Sequence, residues 1–306
     1  MTTQLRRTLF AAGLLLAAGI VRMPIEQALT EDLRQQKLLS KPLELDTRKK
    51  IGQGFWAVSL GGLRTLVATV LNLRGFSYFE GQKWEQVADT YDTIVQLAPN
   101  SAFYWDTGQW HMAYNAAAHY QTDSDLPEIR AQAEWRKWIK RGTAFLEEGV
   151  RQNPDNALLW KQLGWLYSDP NKLVDYDKAA AAYAKAVEIG GVLPYVSRAH
   201  AYALARSENG IDDALPLVRK LQKEPGGNVP TMLCLRFALE MREDPGRDAH
   251  LLALDLFGSS KKAYQQLSTY YLGTRDNYPM NGVSEELRKL ERDLAIPSEN
   301  SIFNEQ

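Results

Sequence analysis

Cysteine and histidine are scarce in this chain of 306 residues, which contains one cysteine and four histidines. A single cysteine cannot form an intramolecular disulfide or a cysteine-rich zinc site. Cys234 lies between two leucines in an apolar helical pattern, which favours a buried small side chain over a reactive thiol. His111 and His119 share one face of a predicted helix, but two turns separate them, too far to chelate one ion without a third ligand. We therefore expect no metal site and no cofactor.

Neither sign of charge is in excess, and the motifs of common enzymes are missing. With 36 basic and 37 acidic residues the formal net charge is -1, which gives no electrostatic footprint for nucleic acid. The sequence has no G-x-S-x-G, no phosphate-binding glycine loop and no H-E-x-x-H. Adjacent carboxylates such as Glu147 and Glu148 point in different directions on a helix, which is typical of solvated charges. The sequence therefore predicts a protein that is not an enzyme.

Long apolar runs are also missing, and the longest candidate lies at the amino terminus. Leu9 to Val21 contains no charge, but thirteen helical residues reach only about 20 Å, short of the roughly 30 Å of a bilayer core. Arg22 can snorkel and lengthen this short span. We predict that residues 1–24 form an uncleaved bacterial inner-membrane anchor; the alternative is a signal peptide whose removal leaves a secreted or periplasmic protein. The side chains expected in the lipid are Leu9, Phe10, Leu14, Leu15, Leu16, Ile20 and Val21.

Charge flanking the anchor predicts its orientation. Arg6 and Arg7 should hold the amino end in the cytoplasm, which places the remainder of the chain on the periplasmic side. Residues 25–53 are rich in charge and predict a linker or solvated helix. The apolar segment 54–78 carries one polar stripe, so it favours packing against protein or lying in the membrane surface over crossing lipid.

A repeated pattern of rings, glycine and alanine is present in the middle of the chain. Segment 157–191 contains W-x2-L-G-x2-Y, followed by an alanine, an aromatic residue and another alanine at helical spacing. The residues concerned are Trp160, Leu163, Gly164, Tyr167, Ala179, Tyr183 and Ala186. A weaker copy of the pattern occupies 68–101, and further degenerate copies follow on either side of the best one. Such self-similarity is typical of stacked helix pairs, since no single pair can bury its apolar face.

This pattern resembles the tetratricopeptide repeat (TPR) family. The resemblance implies an all-α, TPR-like superhelix of antiparallel helix pairs that follows an N-terminal membrane-anchor or signal helix. The segments LGGLRTLVATVLNLRG and FYWDTGQWHMAYN are also similar to uncharacterised bacterial membrane-anchored TPR proteins, for which no activity is implied. We expect about four TPR-like repeats over 54–225, a helical capping region over 226–296 and a flexible tail over 297–306. Within the capping region Ser284 is predicted to cap the last amphipathic helix.

The resemblance also implies which side chains line the concave groove of the superhelix. One first-helix position is occupied by a ring in each successive repeat: Phe76, Trp110, Trp165 and His200. The other groove positions are Asn72, Phe79, Asp106, Tyr114, Lys161 and Asp169. Rings bury a large area at a small entropic cost, so such a column is suited to anchoring a ligand. The alternative, of equal weight, is that the protein's own amino-terminal helix or the long loop after Tyr120 fills the groove.

These observations predict a protein–protein interaction scaffold or adaptor of a bacterial membrane complex, which binds a partner segment in the groove. The expected partners are other proteins, with the membrane contacted through the N-terminal helix and no nucleic acid bound. The sequence indicates no oligomeric state. The alternative is an envelope glycan or small-ligand binding protein that uses the same column of rings.

Overall fold

The chain folds entirely into helices and loops in the part that the structure, a computed structural model, describes. Residues 63–123 and 125–304 are described, and they contain no β-strand. The predicted anchor (1–24) and linker (25–53) lie outside them. Two compact units divide the chain at residues 1–104 and 105–306. The all-α prediction is confirmed.

Twelve α-helices occur within the described residues, several of them joined by short loops as the repeat pattern predicts. They are α1 (Arg64–Glu80), α2 (Trp84–Leu97), α3 (Ala102–Trp110), α4 (Glu128–Gln152), α5 (Ala157–Ser168), α6 (Tyr176–Ile189), α7 (Pro194–Leu204), α8 (Ile211–Leu221), α9 (Pro230–Glu243), α10 (Ala249–Phe257), α11 (Ser260–Thr274) and α12 (Val283–Asp293). Two π-helical segments, His111–Ala116 and His119–Asp123, follow α3. None of the described helices combines the length and apolar character needed to cross a bilayer.

In the first unit α1 and α2 form a helical hairpin. The face of α1 that packs on α2 has small or aliphatic side chains at helical spacing, including Val67, Leu71 and Gly75. The matching face of α2 buries Val87, Tyr91 and Ile94, among others. The hydroxyl of Tyr91 donates a 2.8 Å hydrogen bond to the Asn72 Oδ1 of α1, which satisfies a polar group inside this small core.

In the second unit α4 packs against the π-helical segment His111–Ala116 at glycine positions. A Cβ atom on Gly142 would lie 2.7 Å from the Cβ and 2.8 Å from the backbone nitrogen of Ala113. Two turns further on, a Cβ on Gly149 would meet the ring of Trp105 at 3.0 Å. The two helical segments can therefore approach this closely only because α4 presents glycine at the contact.

Helices α5, α6 and α7 form the next packed layer. The side chain of Asn156 caps α5 by accepting a hydrogen bond from the Leu159 N–H, and Asp175 caps α6 in the same way through the Lys178 N–H. A Cβ atom on Gly164 would lie 2.8 Å from the Tyr183 ring. Glycine at this position therefore allows α5 and α6 to pack closely, with the Tyr183 ring against the α5 backbone.

The carboxyl-terminal helices α9 to α12 surround their own apolar core, which includes the fully buried Cys234. The buried position predicted for this cysteine is confirmed. The prediction that Ser284 caps the last helix is wrong, because α12 begins at Val283 and its N-cap is Gly282, whose left-handed backbone (φ 71°) reverses the chain two residues before Ser284.

Within the segment predicted to be a flexible tail, residues 298–300 and 302–304 form short 3₁₀ turns. Ile302 and Phe303 pack against the core of α9 to α12. The backbone N–H of Ile302 donates a hydrogen bond to the Glu291 side chain of α12.

Candidate functional site

Helix α5 holds one tryptophan of the predicted groove in an exposed position. Its buried side is formed by Leu159, Leu163 and Leu166, which recur at helical spacing. Trp165 lies on the opposite side, and 56% of its surface is exposed. Since an indole buries readily in a core, so much exposed ring area on a capped helix marks a candidate contact surface.

Trp165 lines a cleft of about 400 Å³ between α5, α6 and α7. The residues of its wall are Trp165, Ser168, Asp169, Pro170, Asn171, Tyr183, Ala199, Tyr202 and Arg206. The hydroxyls of Ser168 and Tyr183 are 3.1 Å apart and hydrogen-bonded, which fixes two polar groups of the wall. Three rings and two charged side chains therefore surround one cleft, a combination that suits a ligand with both an apolar and a charged part.

Asp169 links this cleft to the predicted groove residue Tyr114. Burial raises the pKa of the Tyr114 hydroxyl, and the charge of Asp169 and a hydrogen bond to it raise this pKa further. The Lys172 ammonium lies 4.5 Å from the centre of the Tyr114 ring. Burial lowers the pKa of Lys172, although the nearby Asp169 opposes this effect. The three side chains therefore hold one another in place.

Asp106 is fixed in a comparable way. The Nε2 of Gln162 on α5 donates to both carboxylate oxygens of Asp106 on α3, at 2.9 and 3.0 Å. The Nε2 of Gln109 adds a third bond to Oδ1 at 3.2 Å. Lys161, beside Gln162, is half-buried. A carboxylate with this many donors is positioned by the fold, so it contributes a fixed negative charge.

Trp110 ends α3 with 48% of its surface exposed, and its ring lies 5.4 Å from that of His111. His111 is buried and shares a 3.1 Å hydrogen bond between its Nδ1 and the Asn115 Nδ2. Burial lowers the pKa of His111 to about 4, and burial also lowers the pKa of His200 on α7. Both imidazoles are therefore neutral at physiological pH, which excludes a role for them as standing positive charges.

The remaining predicted groove residues belong to α1. Phe76 is 57% exposed, and its ring lies 6.1 Å from that of Phe79. The Phe79 ring contacts Trp84 edge-on at 5.8 Å. Asn72 is engaged by Tyr91 as described above. Of the α1 positions, Phe76 therefore offers a large exposed apolar surface, whereas Asn72 has a role inside the hairpin.

One set of predicted site residues, the membrane anchor, lies outside the described residues. The anchor residues Leu9 to Val21 belong to the part of the chain that the structure does not describe. Across 63–123 and 125–304, no group of three or more His, Cys, Asp or Glu side chains could hold a metal ion.

Sequence reasoning did not find Gln162, Lys172, Tyr202 and Arg206. Tyr202 and Arg206 line the cleft, whereas Gln162 contacts Asp106 and Lys172 contacts Tyr114. None of the four is at a groove position that the TPR resemblance implies. Lys172 is in the inter-helix turn, which is longer than the TPR consensus, and Arg206 is in the turn after α7. The unusual length of the first turn was the one signal available.

Comparison with known proteins gives no family. No protein-family model matches the chain, and no curated protein is significantly similar to it. The resemblance to TPR repeats therefore depends on the residues named above.

Proposed function

We propose that this chain is a TPR-like superhelix that serves as a scaffold or adaptor in a bacterial membrane complex. Residues 1–24 would hold it at the inner membrane, with the repeats on the periplasmic side. The helix pairs and the contact of Gly164 with Tyr183 support the repeat architecture. The apolar run between the arginines of the amino terminus supports the location.

The exposure of Trp110 and Trp165 carries the proposal for the function. Two other tryptophans of the same unit, Trp105 and Trp138, are 2% and 0% exposed, so this unit can bury an indole ring fully. Large exposed rings on rigid helices are the side chains that most often dominate the energetics of protein interfaces. Their exposure therefore favours a role in binding a partner over a role in stabilising the fold.

The mechanism would be the display of a preformed surface with no covalent chemistry. The bonds of Gln162 to Asp106, and the contacts among Tyr114, Asp169 and Lys172, fix the polar side chains near Trp165 before a partner arrives. A surface of this kind loses little conformational entropy when it binds, which favours affinity.

The test is a mild-detergent pull-down of the full-length protein from its native membrane, compared with the double variant Trp110→Ala, Trp165→Ala. Both rings are exposed, so we expect the variant to keep its melting temperature and to lose a defined set of proteins. Phe103→Ala provides a matched control, because Phe103 is also an exposed ring but is not among the predicted groove positions. If the same proteins are recovered with the double variant, binding occurs elsewhere and the groove is not the site.

The second candidate is binding of envelope glycans. It is favoured by the Trp165 ring at the edge of a cleft, since exposed indoles can stack on sugar rings. Recovery of no specific protein, together with retention of the protein on an envelope-glycan matrix that the double variant lacks, would replace the adaptor with this candidate.

A further inference from the structure

Arg206 is held between two tyrosine rings at the end of α7. The centre of its guanidinium lies 4.2 Å from the Tyr176 ring centroid and 4.5 Å from that of Tyr278. The Nε–H donates to the Tyr202 carbonyl at 2.9 Å, and Nη1 donates to the Tyr176 hydroxyl at 3.3 Å. A guanidinium has five N–H donors, so these bonds leave donor capacity for another group.

No carboxylate among residues 63–123 and 125–304 pairs with Arg206. Four other arginines differ in this respect, because Arg219, Arg236 and Arg247 all contact Glu240, and Arg242 contacts Asp212. Arg206 is nevertheless half-buried, and aromatic rings replace part of its hydration. A guanidinium so placed has a strong preference for an anion that can accept its remaining N–H groups.

The surroundings of Arg206 indicate what kind of anion fits. Arg206 lines the cleft of about 400 Å³ that also contains the exposed Trp165 ring and the ring of Tyr202. Asp169 contributes a negative charge to the same wall. Its carboxylate accepts hydrogen bonds from the Tyr114 hydroxyl and from the backbone N–H of Asn171. This charge disfavours a dianionic phosphate more than a singly charged carboxylate. The rings favour an apolar group beside the anion.

We propose that this cleft binds a peptide carboxylate that is joined to an apolar residue, with Arg206 pairing the carboxylate and Trp165 packing against the apolar group. The carboxylate belongs to an acidic side chain or to a chain terminus of the partner. This proposal rests on the proposed function, because it names the chemistry of the segment that the adaptor would bind.

The test uses N-acetyl-phenylalanine and N-acetyl-phenylalaninamide, two probes that differ only in the carboxylate. Binding to the full-length protein in detergent is followed by chemical-shift titration. We expect the acid to bind about tenfold more tightly than the amide, which is the size of effect that one charge-assisted pair provides. Arg206→Gln should abolish this preference, and Arg206→Lys should keep part of it.

Further variants separate an effect on ligand recognition from an effect on folding. Arg206 also joins Tyr176 to Tyr278, so Arg206→Gln is compared with the wild type only where both are folded. Trp165→Ala should weaken the acid and the amide equally and leave their ratio unchanged, because the ring contacts the apolar part. Arg151→Gln, a change at an exposed arginine paired with Glu148, should leave both affinities unaltered.

The outcomes that overturn the proposal differ from those that overturn the proposed function. Equal binding of acid and amide, or a preference that survives Arg206→Gln, removes the carboxylate site even if the pull-down identifies protein partners. Equally tight binding of inorganic phosphate indicates a general anion site, and tighter binding of glucuronic acid indicates a glycan carboxylate; both contradict a peptide ligand. A preference that depends on Arg206, with no protein recovered by pull-down, keeps the site and rejects the adaptor.

Discussion

Gly164 leaves no room for a side chain, because its Cβ would lie 2.8 Å from the Tyr183 ring. We predict that Gly164→Ala lowers the free energy of unfolding by up to about 2 kcal/mol. Overpacking a core costs about 1–3 kcal/mol, and the higher helix propensity of alanine returns about 1 kcal/mol. Chemical denaturation of the full-length protein measures the change.

Gly273 provides the matched control in another helix. It lies near the end of α11, and a Cβ atom there would meet nothing within 4 Å. Gly273→Ala should therefore raise the free energy of unfolding by up to about 1 kcal/mol. Equal effects of the two substitutions would show that the Gly164 contact is not the cause.

His111 makes the stability depend on pH. Burial lowers its pKa from 6.5 to about 4, so between these values the unfolded chain takes up a proton that the folded chain does not. The free energy of unfolding should accordingly be fully retained above pH 6.5 and fall as the pH drops from 6.5 to 4, by up to about 3 kcal/mol from this residue.

The measurement is the difference between the wild type and His111→Gln across this pH range. Glutamine does not titrate and can keep a hydrogen bond to Asn115, so the variant should show a flatter dependence. The difference isolates His111 from the other titrating groups, including His200 and Glu286. Parallel curves for the two proteins would contradict the assignment.

At the scale of elements, Glu240 joins α8, α9 and the loop before α10. Its carboxylate is 3% exposed and contacts Arg219 at 3.2 Å, Arg236 at 2.8 Å and Arg247. Burial by itself would raise the pKa of Glu240, but the hydrogen bonds from Arg236 and Arg219 outweigh it and lower the pKa. The residue is therefore a charged centre to which three cations converge.

Glu240→Gln should lower the free energy of unfolding by about 3 kcal/mol, since it leaves three arginines without their shared anion. The arginines are partly exposed, which places the value at the low end of the range for a broken buried pair. Glu243→Gln is the control, because Glu243 is exposed and contacts only Arg219 among these arginines. It should change the stability by less than about 1 kcal/mol. A small effect of both substitutions, measured by denaturation, would contradict the role of Glu240.

The type of each secondary-structure element was more predictable than the residues at which it begins and ends. Helical periodicity extends over many residues, so the all-α prediction was secure. The start of α12 depends on the backbone of one residue, Gly282, and the N-cap pattern around Ser284 competes with it. The π-helical segments beside Gly142 depend on contact with another helix and carry no local signal.

At the scale of the whole molecule, the single cysteine allows a direct test of membrane orientation. Cys234 is buried and burial raises its pKa to about 12, so the folded protein should not react with maleimides. Leu251 is an exposed position on α10, and Leu251→Cys introduces one reactive thiol. We predict that a membrane-impermeant maleimide labels this variant in intact spheroplasts and leaves the wild type unlabelled. Labelling only after permeabilisation would place α10 in the cytoplasm.

The sequence by itself determined the features that depend on neighbours along the chain. Apolar spacing predicted helices, and the repeat pattern predicted that α5 and α6 pair through small residues such as Gly164. These signals are local, because a helix brings residues three and four apart onto one face wherever it occurs in the fold.

Only the tertiary structure decided which distant residues meet. Arg206 lies between Tyr176 of α6 and Tyr278 of the loop before α12, and Glu240 collects arginines from separate elements. In the sequence each of these arginines is one charged residue among many. Their partners depend on which helices become neighbours, and the packing of apolar faces decides that, with charge contributing little until the helices are in place.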